Sequence, residues 1–365
     1  MCKGLSRLLI VAVCGIVLMG YMQYSKPSLY HSKSYVFGTL VDISIHGEPK
    51  ERAQALSNAI MQDFQHLHQQ LHAWKPVTVN ENSELGALNL AFAAQSKPIA
   101  ISRLMQEILL DATKLSQRSN GLFNPTIGHL IGTWGFQADE FSATNIDDKK
   151  ICAFVSANPS MGDIVVANQT AYSINPSVKL DLGGYAKGYA LDRAARYLRQ
   201  QNVKHALINI GGNIIALGQH GDKPWRVGIQ HPRKPSAIAT LDLPNGWAVG
   251  TSGDYQRYFV LDGKRYCHII DPRTGYPVQH TQAVTVLIPP QPVGQTQAGV
   301  LSDVASKPIF IESAKRKAEI AHAMGIQYFM VIDQSSQVLV TPEMQAKLAW
   351  LDEDVKKHVQ IIKHY

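Results

Sequence analysis

Asp181-Leu-Gly-Gly-Tyr-Ala-Lys-Gly is the segment of this chain best suited to hold an anion. Two glycines where a helix begins let a phosphate approach backbone N–H groups, and the helix dipole favours the negative charge. Lys187 falls in the first helical turn, where a cation opposes the dipole; an anion alongside would remove that conflict. Asp181 is suited to bind a ligand hydroxyl or amine. The same residues also suit a tight strand–helix turn with a solvated lysine. The segment is neither a Walker loop, since no Gly-Lys-Ser/Thr follows, nor a GxGxxG fingerprint. Gly211-Gly212-Asn213 marks a second close backbone approach or a β-bulge. Thr251-Ser252-Gly253-Asp254-Tyr255 is a third such turn, in which Ser252 is a conceivable nucleophile although GxSxG is absent. His268, at the end of a strand before Asp271-Pro-Arg273-Thr274-Gly275, suits a ligand hydrogen bond, a proton shuttle or a structural role. His68 and His72 have metal-ligand spacing, yet no HExxH is present, and a solvated or partly buried helix face explains them as well. Trp74, just beyond, is a candidate for stacking or for the core.

The elements that must position these residues are legible from periodicity. The segment from Lys179 to Gly218 reads as a short strand ending at Asp181, a glycine turn, a helix over 185–200 and a buried strand over 206–210 running into Gly211. Ala186, Ala190, Ala194 and Leu198 give that helix a small-residue packing face. Upstream, Val36, Val41, Ile43 and Ile45 read as a strand interrupted by Gly38. Ala53, Leu56, Ile60, Phe64, Leu67 and Leu71 then follow helical spacing. A further helix over Leu104–Leu115 takes Ser102 as its cap, and residues 119–136 are too punctuated by Gly and Pro to be one element. Asp262-Gly263 between two apolar-alternating runs predicts a hairpin. Residues 302–311 look helical, with Pro308 disturbing the interior. Mixed elements with several hairpins predict an α+β fold of mixed, largely antiparallel sheets with packed helices.

Composition sets the class. The 365 residues carry 35 Lys and Arg against 28 Asp and Glu, are 45% hydrophobic and 17% charged, and so have material for a packed core. Lys3 and Arg7 contribute two of the seven net positive charges, leaving +5 on residues 25–365. That suits an anionic ligand; no basic run is interleaved with stacking aromatics, so nucleic acid is not an expected partner. Leu8–Met22, an uncharged and mostly apolar run behind Lys3 and Arg7, reads as a signal peptide or N-terminal membrane anchor, with the rest of the chain exported. Val13 argues against lipidation at Cys14. The expected organisation is a leader over 1–24, a spacer over 25–34, one domain over 35–350 and a charged tail over 351–365. Outside the leader only Cys152 and Cys267 remain; they could pair, and the absence of CxxC leaves no thiolate metal or redox motif.

Taken together, these segments resemble the ApbE-type FAD:protein FMN transferases. The matching pieces, in family order, are Phe37-Gly38-Thr39, residues 124–136, KLDLGGYAKGYALD at 179–192, INIGGNI at 208–214, VGTSGDYQRYF at 249–259, HIIDPRTGYPV at 268–278 and SDVASKPIFI at 302–311. The resemblance implies an ApbE-like flavin transferase fold over about residues 36–345. It implies cleavage of FAD at its pyrophosphate, transfer of FMN to a Thr or Ser of an acceptor protein, and release of AMP. It implies acceptors that are flavoprotein subunits of membrane redox complexes, and a site on the periplasmic side of the inner membrane. By motif match, Asp181, Lys187, Ser252 and His268 would lie in the FAD site. Phe37, Trp74, Thr133, Trp134 and Gly135 would lie near its rings. The Gly184 carbonyl and the Asp303 carboxylate would face Mg²⁺, with His268 and Asp303 as the catalytic pair. One position departs from the pattern. The family places a Thr four residues after the Asp as a second metal ligand, and here Lys307 stands there. An ammonium cannot ligate a cation, so either Asp303, the Gly184 carbonyl, phosphate and water hold the metal, or Lys307 itself partly neutralises the pyrophosphate. An exported FAD-binding protein without transfer activity, as a flavin carrier or maturation partner, and an FAD pyrophosphatase are the alternatives this departure leaves open.

Overall fold

The computed structural model describes residues 29–74, 83–138 and 146–362. The leader expectations, including Cys14, lie outside the described residues. No helix among the described residues is long and apolar enough to cross a membrane.

Alternating apolar residues build one nine-stranded sheet whose spatial order follows the chain: β1 (Leu29–Val36), β2 (Thr39–His46), β3 (His205–Ile210), β4 (Asn213–Leu217), β5 (Ala248–Gly253), β6 (Thr281–Ile288), β7 (Tyr328–Asp333), β8 (Val338–Val340) and β9 (Val359–Ile361). Every neighbouring pair is antiparallel except β8 and β9. Side chains one residue apart go to opposite faces. Val41, Ile43, Ile45, Ile208, Ile215 and Val284 thus join one core with the helices, while Ile214, Ala216, Val249, Ala283 and Leu287 join a second with Trp225, Val227 and Leu241 of a three-stranded sheet. The fold is α+β with largely antiparallel sheets, as the sequence predicts.

Three helices matter most for the site: α1 (Lys50–Gln70), α2 (Ala186–Gln200) and α3 (Ala298–Ile311). α3 is buried along almost its whole length. Its N-terminus has no cap of its own. Asp192 of α2 supplies one, accepting from the Gly299 and Val300 amides, each at 2.8 Å. Where the two helices cross, a Cβ on Gly299 would lie 2.6 Å from the Gly188 carbonyl oxygen, and one on Gly188 would strike the Gly299 carbonyl. Gly250 of β5 likewise lets the strand lie directly on the Ser302 backbone.

Five expectations are corrected. β1 begins at Leu29, so most of the expected spacer is a sheet strand, and Phe37-Gly38 is the turn of a hairpin rather than a break in one strand. The run before Asp181 is not a strand. It is held by a single parallel bridge between Ile127 and Lys179, by Asp181 N–H donating to Pro125, and by Asn89 bonding both the Leu180 N–H and carbonyl. Pro308 does not disturb the interior of α3. It falls in the last turn, and the Lys317 ammonium, 2% exposed, donates to the Ile309, Phe310 and Glu312 carbonyls there. Finally, the charged tail is part of the fold. Asp352 caps the helix Glu353–Lys357, whose acidic start and basic end complement its dipole, and β9 follows. Cys152 and Cys267 are both free, the first exposed and the second buried.

Gly299→Ala is expected to cost about 2 kcal/mol or more, because the helix crossing has no room for a methyl group. Thermal denaturation checks this, and a melting temperature equal to the parent's would contradict the crossing.

Candidate active site

The glycine corners converge. A cleft of about 800 Å³ is lined by the β1–β2 turn, the end of α1, the loop entering α2, the β3–β4 turn, the end of β5, the segment His268–Ile270 that follows the strand Lys264–Cys267, and one face of α3. Phe37, Trp74, Asp181, Gly184, Lys187, Ser252, His268, Asp303 and Lys307 all lie on its wall.

Asp303 is one of these lining residues and is 1% exposed. One carboxylate oxygen accepts from the Lys307 ammonium at 2.7 Å and lies 3.6 Å from that of Lys187; the other accepts from the Gly188 amide at 3.0 Å. Lys307 also donates to the Asp303 carbonyl at 2.6 Å, one turn back along α3. Burial pushes Asp303 up, but Lys187 and Lys307 outweigh it and hold the carboxyl below its usual range. Burial and the neighbouring Lys187 lower Lys307, against the opposing pull of Asp303. The positive end of α2 is thus answered by a carboxylate of the protein itself.

Asp181 lies near the other side of the loop. It accepts from the Gly183 amide and the Trp74 indole, each at 2.9 Å, and from Gln137 at 3.3 Å. The Arg257 guanidinium stacks 4.7 Å from the Trp74 ring and donates to the Phe136 carbonyl. His68 and His72 continue this aromatic wall between Phe37 and Trp74. Phe37 itself has φ 57°, the left-handed conformation a two-residue hairpin turn requires, and an unusual one for a bulky residue. The Ser252 hydroxyl bonds that of Ser306 at 2.7 Å, which donates to the Asp303 carbonyl. Ser252 therefore orients α3 and is not poised as a nucleophile.

His268 bonds the Arg257 carbonyl through Nδ1 at 3.2 Å. Burial, then Arg257 and Lys187, push its imidazole down to about 3. It is neutral near pH 7; with Nδ1–H donating, Nε2 carries the lone pair.

Thr133, Trp134 and Gly135 do not line the cleft, against expectation. Trp134 is 1% exposed, donates its indole N–H to the Gly275 carbonyl at 2.7 Å and stacks with Tyr266 in a small core behind the wall. Its neighbours Ile131 and Phe136 reach the cleft instead. Arg257 and the histidine pair are wall residues that the sequence alone does not mark as such. The four-residue spacing of His68 and His72, read together with Trp74, was the available signal. Among the described residues no group of three or more His, Cys, Asp and Glu could hold a metal ion.

The expected Mg²⁺ ligands do not fit that ion. Mg²⁺ needs near-octahedral oxygen ligands, yet the Asp303 carboxylate is already paired with the Lys307 and Lys187 ammoniums, whose charge would repel a further cation beside it. The end of the Lys307 side chain lies against Gly184, where a Cβ would be 2.8 Å from its Cε. A cation is thus already built into the place where a second one would stand.

A cleft whose wall carries both fixed cations and aromatic rings has the chemistry to take a phosphate-bearing aromatic ligand. Residues 37–330 match the ApbE family, and the chain belongs to it. It is 35% identical over 336 residues to a protein of Rhodobacter capsulatus named FAD:protein FMN transferase, covering 92% of this chain and 61% of that one. A Klebsiella pneumoniae protein of the same name is 28% identical, covering 81% and 82%. The crystal structure of an ApbE protein from Thermotoga maritima superposes with TM-score 0.77 at 25% identity, covering 88% of this chain and 99% of that one. The flavin transferase ApbE of Vibrio cholerae gives 0.73 at 24%, covering 89% and 100%.

The neutral buried histidine makes stability pH-dependent. On unfolding, His268 regains its ordinary value near 6.5 and takes up a proton below it, while the folded protein stays unprotonated there. Its contribution therefore destabilises the fold as pH falls below about 6.5, by about 1–2 kcal/mol at pH 5. His268→Gln should shrink the stability difference between pH 7 and pH 5, read from denaturant unfolding at each pH; an unchanged difference would refute the buried neutral imidazole.

Proposed function

We propose that this protein is an FAD:protein FMN transferase. The observation that carries the reading is the convergence of Asp181, Lys187, His268 and Asp303 on one cleft in a chain of the ApbE family. The pyrophosphate would lie against Lys187 and Lys307, and the flavin or adenine against the wall of Phe37, Trp74 and Arg257. The acceptor's Thr or Ser hydroxyl oxygen bonds to the phosphorus on the FMN side. The bridging P–O bond breaks, and AMP leaves with its electron pair. The hydroxyl proton needs an acceptor, and Nε2 of His268 is the neutral base that the site supplies. The negative charge of bound pyrophosphate offsets Arg257 and Lys187 and so raises its basicity. The lysines stabilise the charge on the phosphoryl oxygens.

The acceptor in this reading is a flavoprotein subunit of a membrane redox complex, and the work is done on the periplasmic side. The apolar run Leu8–Met22 behind Lys3 and Arg7 supports export, with retention at the membrane or release after cleavage.

The test incubates the purified protein with FAD, millimolar Mg²⁺ and an acceptor flavodomain, followed by gel fluorescence and mass spectrometry. Covalent FMN on the acceptor with AMP release is expected. Bound FAD without turnover would replace this reading with a carrier, and free FMN without acceptor with a pyrophosphatase. Asp181→Asn is expected to weaken FAD binding about tenfold, roughly 1.4 kcal/mol, by loosening Trp74 and Gly183; fluorescence titration checks it.

A further inference from the structure

Three charged side chains on the cleft wall form one connected unit. Asp303 and Lys307 are four residues apart on α3, the spacing and order in which an acid and a base meet on a helix. Lys187 reaches the same carboxylate oxygen from the first turn of α2. The Gly188 amide and the Ser306 hydroxyl complete the bonds to Asp303. Lys307 is mostly buried, its stem lies against Gly184, and the residue lines the cleft. Lys187 and Lys307 together carry as much positive charge as one divalent ion. They stand beside the glycine loop where a diphosphate would need it, and the carboxylate that would otherwise bind such an ion holds them in place.

We propose that this site grips the FAD pyrophosphate with a built-in ammonium pair, Lys187 and Lys307 braced on Asp303, and that FAD binding and FMN transfer here do not require Mg²⁺. The inference rests on the transferase reading and deepens it. Lys307 is a ligand-binding residue in this scheme, and Asp303 positions both lysines.

The decisive experiment measures FAD affinity of the full-length protein by flavin fluorescence, in EDTA and in Mg²⁺, alongside transfer to an acceptor flavodomain. Affinity and transfer should agree within about twofold between the two conditions. Lys307→Thr should lose about tenfold or more in FAD affinity in EDTA and regain much of it with Mg²⁺, whereas Lys307→Arg should stay metal-independent. Calorimetric titration of Mg²⁺ into the FAD-free parent should show no binding. The parent comparison decides alone should the Thr variant fail to fold, as judged by circular dichroism. A loss of more than about tenfold in parent FAD affinity on adding EDTA, or transfer only with Mg²⁺, would overturn the ammonium pair and leave the transferase reading standing. Absence of FAD binding in both conditions would overturn both.

Discussion

The carboxylate of Asp303 is the contact on which the site is built. A buried charge is costly unless it is paired with an opposite charge and hydrogen-bonded. Asp303 meets that demand with two ammoniums and one backbone amide drawn from two different helices. The same contact fixes how α3 lies against the first turn of α2. Asp192 fixes the other end of the crossing by capping α3. The Gly188–Gly299 approach is what lets both carboxylates reach: with methyl groups there, the helices would stand apart and neither bond would form. Packing and charge at this crossing are therefore one constraint, since separating the helices would also strand a buried carboxylate.

Asp181 shows how environment divides the work between two acids. It faces an indole, an amide side chain and a backbone amide, all neutral donors, and so acts as an orienting hub joining the chain beyond α1 to the glycine loop. Asp303 faces cations and organises charge. The hairpin turn at Phe37 adds a third device. Its left-handed backbone projects a phenyl ring onto the cleft wall beside Phe64 and His68, a conformation that costs energy and persists because the flanking strands pair along their full length.

The sequence made some of this legible. Local signals sufficed for the glycine loop before α2, the Asp-Gly hairpin, the α1 periodicity and the largely antiparallel α+β class, because each is written in adjacent residues. Long-range relations were not. Nothing near Trp134 shows that its indole N–H is spent on Gly275, 141 residues away, so a motif residue was read as a cleft residue. The local rule for helix interiors predicts a disturbance at Pro308, but Lys317 answers the carbonyls of that last turn from the next helix. The polar residues of β1 were read as a spacer because an edge strand alternates weakly; its partner β2 decides its state. Arg257 became visible only once Trp74 lay beneath it.

A fixed ammonium and a bound metal ion solve the same problem differently. A metal ion coordinates phosphate oxygens in a set geometry and can be lost with its ligands. An ammonium offers a point charge and three donors on a flexible stem, so its precision must come from what braces it. Here the bracing is strong: Lys307 is held by both the carboxylate and the carbonyl of Asp303, and its stem is confined against Gly184. A diphosphate entering beside it would recruit Lys187 and Lys307 without dismantling the unit, because each ammonium has more donors than Asp303 engages. Replacing an exchangeable ion by a tethered charge removes the dependence on ion concentration. It also makes the strength of the phosphate grip a property of one helix crossing, which ties the chemistry of the cleft to the packing of α2 on α3.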